Sequence, residues 1–288
     1  MDTGGVAPVK VLFCGSYPWS LFFLEALWNA PTTRLAAVVT RPVPVGPAGS
    51  PAHVNPVAQW HGAQDRHCPL LTFATLRDEA ASAALGAVEA DLILSAAYPC
   101  LIPASLVAAR RLGGCNVHPS ALPRLRGADP VRWAILEQHE RIGCTMHLLA
   151  EAVDAGDILW QETIPLPADA TCGEILHRLG QDAAQALPDV LDRYARGLLI
   201  PQPQRGQPTF APALTEEQRT LPGSYDVSGA LRLARALAPF RYPLFKMPDG
   251  ACVELLTLRQ DSGPAPSGLP IALRDGLLYA TAYRPAQS

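Results

Sequence analysis

Lysine is nearly missing from this chain: Lys10 and Lys246 are the only two among 288 residues, and arginine carries the remaining positive charge. A GC-biased genome accounts for that replacement better than a phosphate-binding specialisation. Charged residues of both signs make up 17% of the chain and the net charge is −3, which excludes a general attraction to polyanions. No apolar run approaches the ~20 residues of a spanning helix, so no membrane partner is expected. The N-terminus lacks a basic region followed by an apolar stretch and a small-residue cleavage site, which argues against a secretory leader. Cys-x-x-Cys is also missing. The seven cysteines (Cys14, Cys68, Cys100, Cys115, Cys144, Cys172, Cys252) are odd in number and scattered, which excludes a zinc knuckle or a redox pair. Several sit in apolar runs, where a thiol behaves as a small hydrophobe, and the reducing cytoplasm is the expected location. His61, His67 and Cys68 lack a fourth ligand, so no metal is expected there.

What is present is a large apolar fraction, 49%, in a chain long enough for one large domain and a small one. Val9–Cys14 reads as a buried strand ending at Gly15-Ser16. A helix is predicted over Ser20 to Asn29, strands at Leu35–Thr40 and near Pro69–Thr72, a helix over Leu76–Val88, and a strong strand at Asp91–Ser95. Asn116-Val117-His118 ends the next strand. These apolar runs are continuous rather than alternating, as in parallel strands covered on both faces, so an α/β doubly wound, mostly parallel sheet is expected. Residues 171–197 form a long amphipathic helix with Ile175, Leu179, Leu187 and Leu191 on the core face. The polar, proline-rich stretch 201–208 reads as a linker between a catalytic domain, 1–200, and a small β-rich, barrel-like domain, 209–288. Val227–Leu237 is its helix, and Val253–Leu258 and Gly276–Ala280 are among its strands.

Doubly wound sheets bind ligands outside the carboxyl ends of their strands. Gly15-Ser16-Tyr17-Pro18, Ala97-Tyr98-Pro99-Cys100 and Asn116-Val117-His118 are all predicted there. Residues i and i+2 of a strand face the same way, so Asn116 and His118 point together. Downstream stands Val153-Asp154-Ala155-Gly156-Asp157. Taken singly these signals are weak: a histidine at a strand end is commonly structural, and Asp-Ala-Gly-Asp reads as a turn. Together, an amide, an imidazole and a carboxylate suit the transfer of an acyl carbon to an amine without a covalent intermediate. His147, two residues after Thr145 on a probable strand, is expected to be packed or on the surface.

The stretch from Asn116-Val117-His118-Pro119-Ser120 through Leu122-Pro123, Arg126-Gly127 and Pro130, with Gly143-Cys144-Thr145 and Asp154-Ala155-Gly156-Asp157-Ile158-Leu159, resembles the formyltransferases that use 10-formyltetrahydrofolate. The likeness covers most of residues 9–200, with Asn116, His118 and Asp154 in the family's order and spacing. It implies that Asn116 stabilises the oxyanion, His118 shuttles a proton and Asp154 orients the imidazole. It also implies a pterin pocket lined by Tyr98, Cys100, Leu101, Ile102, Ala150 and Val153. Pro99 departs from the glycine of many relatives and stiffens that loop.

Three acceptors fit such an enzyme: methionyl-tRNA, a nucleotide-linked amino sugar, or the amine of a small metabolite. Phe210–Thr215 and Arg235–Phe240 resemble the C-terminal domain of the tRNA enzymes. Yet residues 205–288 hold nine Arg or Lys against seven Asp or Glu, and Pro42–Pro51 has no Lys, Arg or Tyr where those enzymes carry a basic loop. A small-molecule amine acceptor is therefore the first expectation and tRNA the alternative. A related one-carbon unit such as formimidoyl, a 10-formyltetrahydrofolate hydrolase, and an inactive folate-binding protein are the remaining readings.

Overall fold

A computed structural model describes residues 7–42, 54–65, 68–260 and 268–286. Residues 43–51 of the proline-rich stretch, and His67, lie outside the described residues. The chain divides into two compact units: residues 1–126, 143–163 and 177–209 form the first, and residues 127–142, 164–176 and 210–288 the second.

In chain order the first elements are β1 (Val9–Cys14), α1 (Ser20–Asn29), β2 (Thr33–Thr40), α2 (Pro56–Gly62), β3 (Leu70–Thr72), α3 (Glu79–Gly86) and β4 (Leu92–Ala96). There follow α4 (Ala104–Ala108), β5 (Gly114–His118), α5 (Pro130–Leu136), β6 (Arg141–Leu148), β7 (Ile158–Pro165) and α6 (Cys172–Ala195). Among the described residues seven strands make one sheet in the order β3-β2-β1-β4-β5-β6-β7. The pairings from β3 through β5 are parallel, and β5 pairs antiparallel with β6. The central parallel strands are buried on both faces, as their continuous apolar sequences require, while the edge strand β3 is only partly covered: all five residues of β4 are buried, and Leu12, Phe13, Val38 and Val39 are fully enclosed. On α6, Ile175, Leu179, Leu187 and Leu191 are all buried, so the apolar stripe is core.

The strand order reverses between β1 and β4, and the loops that follow these two strands meet. Ser16 N–H donates to the Ala97 carbonyl at 3.2 Å, and Ser20 Oγ donates to the Ala96 carbonyl at 2.7 Å. Beside them β5 runs parallel to β4, with Asn116 opposite Ser95. The predicted convergence of strand ends is therefore present, at the position where open α/β sheets bind ligands.

In the second unit, α7 (Glu216–Arg219) and α8 (Val227–Leu237) precede β8 (Leu244–Lys246), β9 (Cys252–Arg259), β10 (Leu269–Leu273) and β11 (Gly276–Pro285). Among the described residues these strands form an antiparallel sheet in the order β10-β11-β9-β8. Its core joins Leu233 and Leu237 of α8 to Leu255, Ile271 and Leu278, with Trp133 and Leu136 packed against them. Both parts of the expected fold, a mostly parallel sheet with helices and a small antiparallel β domain, are observed. Among the described residues no helix is long and apolar enough to cross a membrane.

Candidate active site

The end of β5 carries the site. Asn116 and His118 stand two apart, and the antiparallel register sets His147 opposite Asn116 and Thr145 opposite His118. Four side chains thus share one sheet face by the strand period alone. Asp154 enters from the loop between β6 and β7. Its backbone is left-handed, with φ +53°, a conformation that aspartate tolerates better than most residues. Two residues on, the chain passes so close to β6 that a β-carbon at Gly156 would overlap the carbonyl oxygen of Leu148.

His118 is 4% exposed. Its Nε2 lies 2.9 Å from the Leu125 carbonyl and its Nδ1 3.5 Å from Asp154 Oδ2. A carbonyl only accepts, so Nε2 carries the proton of the neutral ring and Nδ1 is the nitrogen that gains or loses one. Burial lowers the imidazole's proton affinity below the usual 6.5; the Asp154 carboxylate and the Leu125 carbonyl oppose that, and His147 adds to it.

His147 is 1% exposed. Its Nδ1 is 2.9 Å from the Leu148 carbonyl, which fixes the proton on that nitrogen and leaves Nε2 as an acceptor. Asn116 Nδ2 lies 3.3 Å from that Nε2 and 3.5 Å from Asp154 Oδ1. A carboxamide oxygen there would face a lone pair and a carboxylate, so the NH₂ must point this way. Asp154 Oδ1 is also 3.5 Å from His147 Nε2. The predicted triad is therefore together, with His147 as a fourth member. His147 is packed, as one of its two expected placements had it. Its membership shows only through cross-strand register: Thr145-x-His147 matches Asn116-x-His118 once the strands are known to be antiparallel.

The loop after β5 is held from below. Thr145 Oγ1 donates to the Ser120 carbonyl at 2.6 Å, and Gln161 Nε2 donates to Thr145 Oγ1 and to the Leu122 carbonyl. Ser120 Oγ donates to the Arg124 carbonyl at 2.7 Å. These bonds fix the turn that brings the Leu125 carbonyl onto His118.

The residues expected around a pterin lie on two loops. After β4, Tyr98 and Ile102 are half-buried and pack against the core of the first unit, Cys100 Sγ donates to the Ala74 carbonyl, and Leu101 is 59% exposed. Before Asp154, Ala150 is exposed and Val153 is 55% exposed. His61 Nε2 is 2.7 Å from the Cys68 carbonyl, which gives that histidine a structural partner. Among the described residues no group of three or more His, Cys, Asp or Glu side chains is placed to hold a metal ion.

The chain is 34% identical over 278 residues to a methionyl-tRNA formyltransferase of Roseiflexus sp. (strain RS-1), covering 95% of the chain and 85% of that protein. Among solved structures, HypX from Aquifex aeolicus in complex with tetrahydrofolic acid superposes with a TM-score of 0.70 at 18% identity, over 98% of this chain and 45% of that one. A sugar N-formyltransferase from a Shewanella species superposes with a TM-score of 0.68 at 21% identity, over 86% of this chain and 97% of that one. These two structures share the fold. The sequence model of the formyl transferase domain matches residues 23–191, a span that holds Asn116, His118, His147 and Asp154, and the chain belongs to the formyl transferase family.

Proposed function

We propose that the protein transfers the formyl group of 10-formyltetrahydrofolate to the amino group of methionyl-tRNA. The catalytic half of this reading is carried by Asp154 lying 3.5 Å from a polar atom of Asn116 and 3.5 Å from one of His118 at the end of β5. The residues present fit a folate: Leu101 and Val153 hold exposed apolar side chains on the two loops beside Asn116, surface that a flat ring would cover.

Each side chain has one job. The amine attacks the formyl carbon, the new C–N bond forms and the bond to the folate nitrogen breaks. The Asn116 N–H that faces Asp154 Oδ1, the other being turned to His147, exchanges that long contact for the carbonyl oxygen as it becomes an oxyanion, an interaction typically worth ~10²–10³ in rate. His118 Nδ1 takes the proton that the attacking nitrogen loses and returns it to the leaving nitrogen, worth ~10²–10⁴. Asp154 stabilises the ring while it is charged.

For the acceptor, the support is that the resemblance to methionyl-tRNA formyltransferases runs along 95% of the chain, the second unit included. In that unit arginines neighbour one another: the Arg219 guanidinium is held below its usual range by burial first and then by Arg241, with Arg132 adding to the effect and Glu254 and Glu216 opposing it. A second reading, a small amine such as an amino sugar, is favoured by the uncharged sequence Val43–Pro51 and the near balance of charge over 205–288.

Tetrahydrofolate release with mass analysis of the products, comparing methionyl-tRNA with a panel of amino sugars and small amines, separates the two. Formylated methionyl-tRNA supports the first reading. Silence on tRNA with a mass gain on a small amine overturns it in favour of the second.

A further inference from the structure

The polar, proline-rich stretch after α6 is tied to both catalytic loops. Gln202 exchanges two backbone hydrogen bonds with Ile158, at 2.7 and 2.8 Å. Gln204 then uses both of its side-chain donors and its oxygen: Nε2 donates to the carbonyls of Asp154 and Gly156, each at 2.8 Å, while Oε1 accepts from Arg126 Nη2 at 2.7 Å. Two carbonyls only accept and a guanidinium only donates, so this amide has one orientation. Thr209 completes the strap. Its Oγ1 accepts from Leu125 N–H at 2.9 Å, its carbonyl from Arg126 N–H at 2.9 Å, and its own N–H donates to the Pro123 carbonyl.

The strap grips two particular residues. Leu125, whose carbonyl holds His118 Nε2, and Asp154, whose carboxylate faces His118 Nδ1, both have left-handed backbones, with φ +57° and +53°. Residues with a β-carbon leave that region unless their surroundings hold them in it. Thr209 holds one and Gln204 the other, from a single short segment.

We propose that residues 202–209 are a positioning strap for the catalytic pair, with Gln204 and Thr209 as positioning residues that set how His118 sits between Leu125 and Asp154. The proposal rests on reading His118 and Asp154 as the proton-transfer pair. The polar contacts of both strap side chains go to loop backbone and to Arg126. The strap acts by denying the two loops their relaxed conformations.

Gln204→Glu is the sharpest test. It keeps the size and the Arg126 contact but sets a carboxylate oxygen against two carbonyls, which releases the Asp154 loop. Thr209→Val removes the acceptor for Leu125 N–H at constant shape, and Thr209→Ser restores it. Gln202→Ala, whose backbone bridge survives, is the control. The first readout is the ring titration of His118 by NMR. Burial lowers its proton affinity, Asp154 and the Leu125 carbonyl raise it and His147 lowers it, so loosening either loop moves the titration away from its wild-type position. The second readout is turnover with 10-formyltetrahydrofolate: kcat is expected to fall about 10–100-fold, as for lost outer-sphere support, with KM changed less than about twofold. Thr209→Ser and Gln202→Ala are expected to resemble the wild type in both.

An unshifted His118 titration in folded Gln204→Glu and Thr209→Val overturns the strap. Should Gln204→Glu fail to fold, the Thr209→Val and Thr209→Ser pair decides alone. Failure of the functional reading looks different: the wild type itself releases no tetrahydrofolate with any acceptor, while the titration still responds to the strap.

Discussion

His118 has one ring nitrogen committed to a backbone carbonyl and one turned to a carboxylate, and this asymmetry fixes how the site depends on pH. Because the folded-state proton affinity is lowered from 6.5, the unfolded chain protonates this histidine first as pH falls. The stabilisation linked to His118 is therefore complete above the unfolded value and is lost as pH drops from there toward the folded one. Thermal melts of wild type and His118→Gln between about pH 8 and pH 5 should show it: the wild-type melting temperature falls more steeply on acidification, and parallel curves would dismiss the assignment. His147 makes a second prediction. As the acceptor that turns the Asn116 NH₂, it acts through that amide, so His147→Leu should lower kcat by about tenfold, less than the ~10²–10³ expected for Asn116→Ala. Steady-state kinetics at saturating donor would check this, and equal losses would mean that His147 works on the substrate directly. Asn116, His118 and Asp154 stand out in the sequence as a set, through the order and spacing of the formyltransferases that it resembles. His147 does not, because a lone histidine declares its neighbours only when the strand register is known.

At the scale of elements, legibility followed the strength of periodicity. β1, α1 and α8 have the bounds that their apolar patterns indicate, and α6 buries the four residues of its predicted stripe. α3 is shorter than its apolar run, since Asp78 takes the N-cap position with extended backbone. The antiparallel turn of β6 against β5 leaves no mark in the sequence, for strand direction depends on the connection and not on composition. It nonetheless builds the candidate site, because it sets Thr145 and His147 on the face of Asn116 and His118. The loop from β6 to β7 shows how narrow the tolerance is. A methyl at Gly156 meets backbone, which cannot rotate away as a side chain can. Gly156→Ala should cost about 1–3 kcal/mol by forced displacement, and the displaced loop carries Asp154, so turnover should fall further than stability does. Denaturant melts beside kinetics would test the pair of effects, and a stable variant with native turnover would show that the loop absorbs the methyl freely. Residues 201–208 read as a polar linker because proline and glutamine report composition, whereas the bonds of Gln204 are visible only in space.

For the whole molecule the open choice is the acceptor, and it turns on where charge lies rather than on how much there is. The near balance of Arg and Lys against Asp and Glu in residues 205–288 favours a small amine. A sum, however, cannot register clustering. In the second unit burial first, and then Arg241 and Arg132, lower the Arg219 guanidinium, while Arg284 and Arg219 share Glu254. Phosphate contacts release counterions, so methionyl-tRNA binding through such a cluster must weaken with salt along a log–log line, each contact adding about 0.7–0.9 to the slope. A small amine sugar or metabolite gives no comparable slope. Arg241 is exposed, so removing its charge leaves the core of the unit intact. With methionyl-tRNA as acceptor, log KM should rise linearly with log salt, and Arg241→Gln should reduce that slope by about one phosphate's worth while kcat at saturation stays unchanged. A KM for tRNA indifferent to salt, or a slope indifferent to Arg241, would detach the second unit from nucleic acid and leave the small-amine reading as the one that the charge distribution supports.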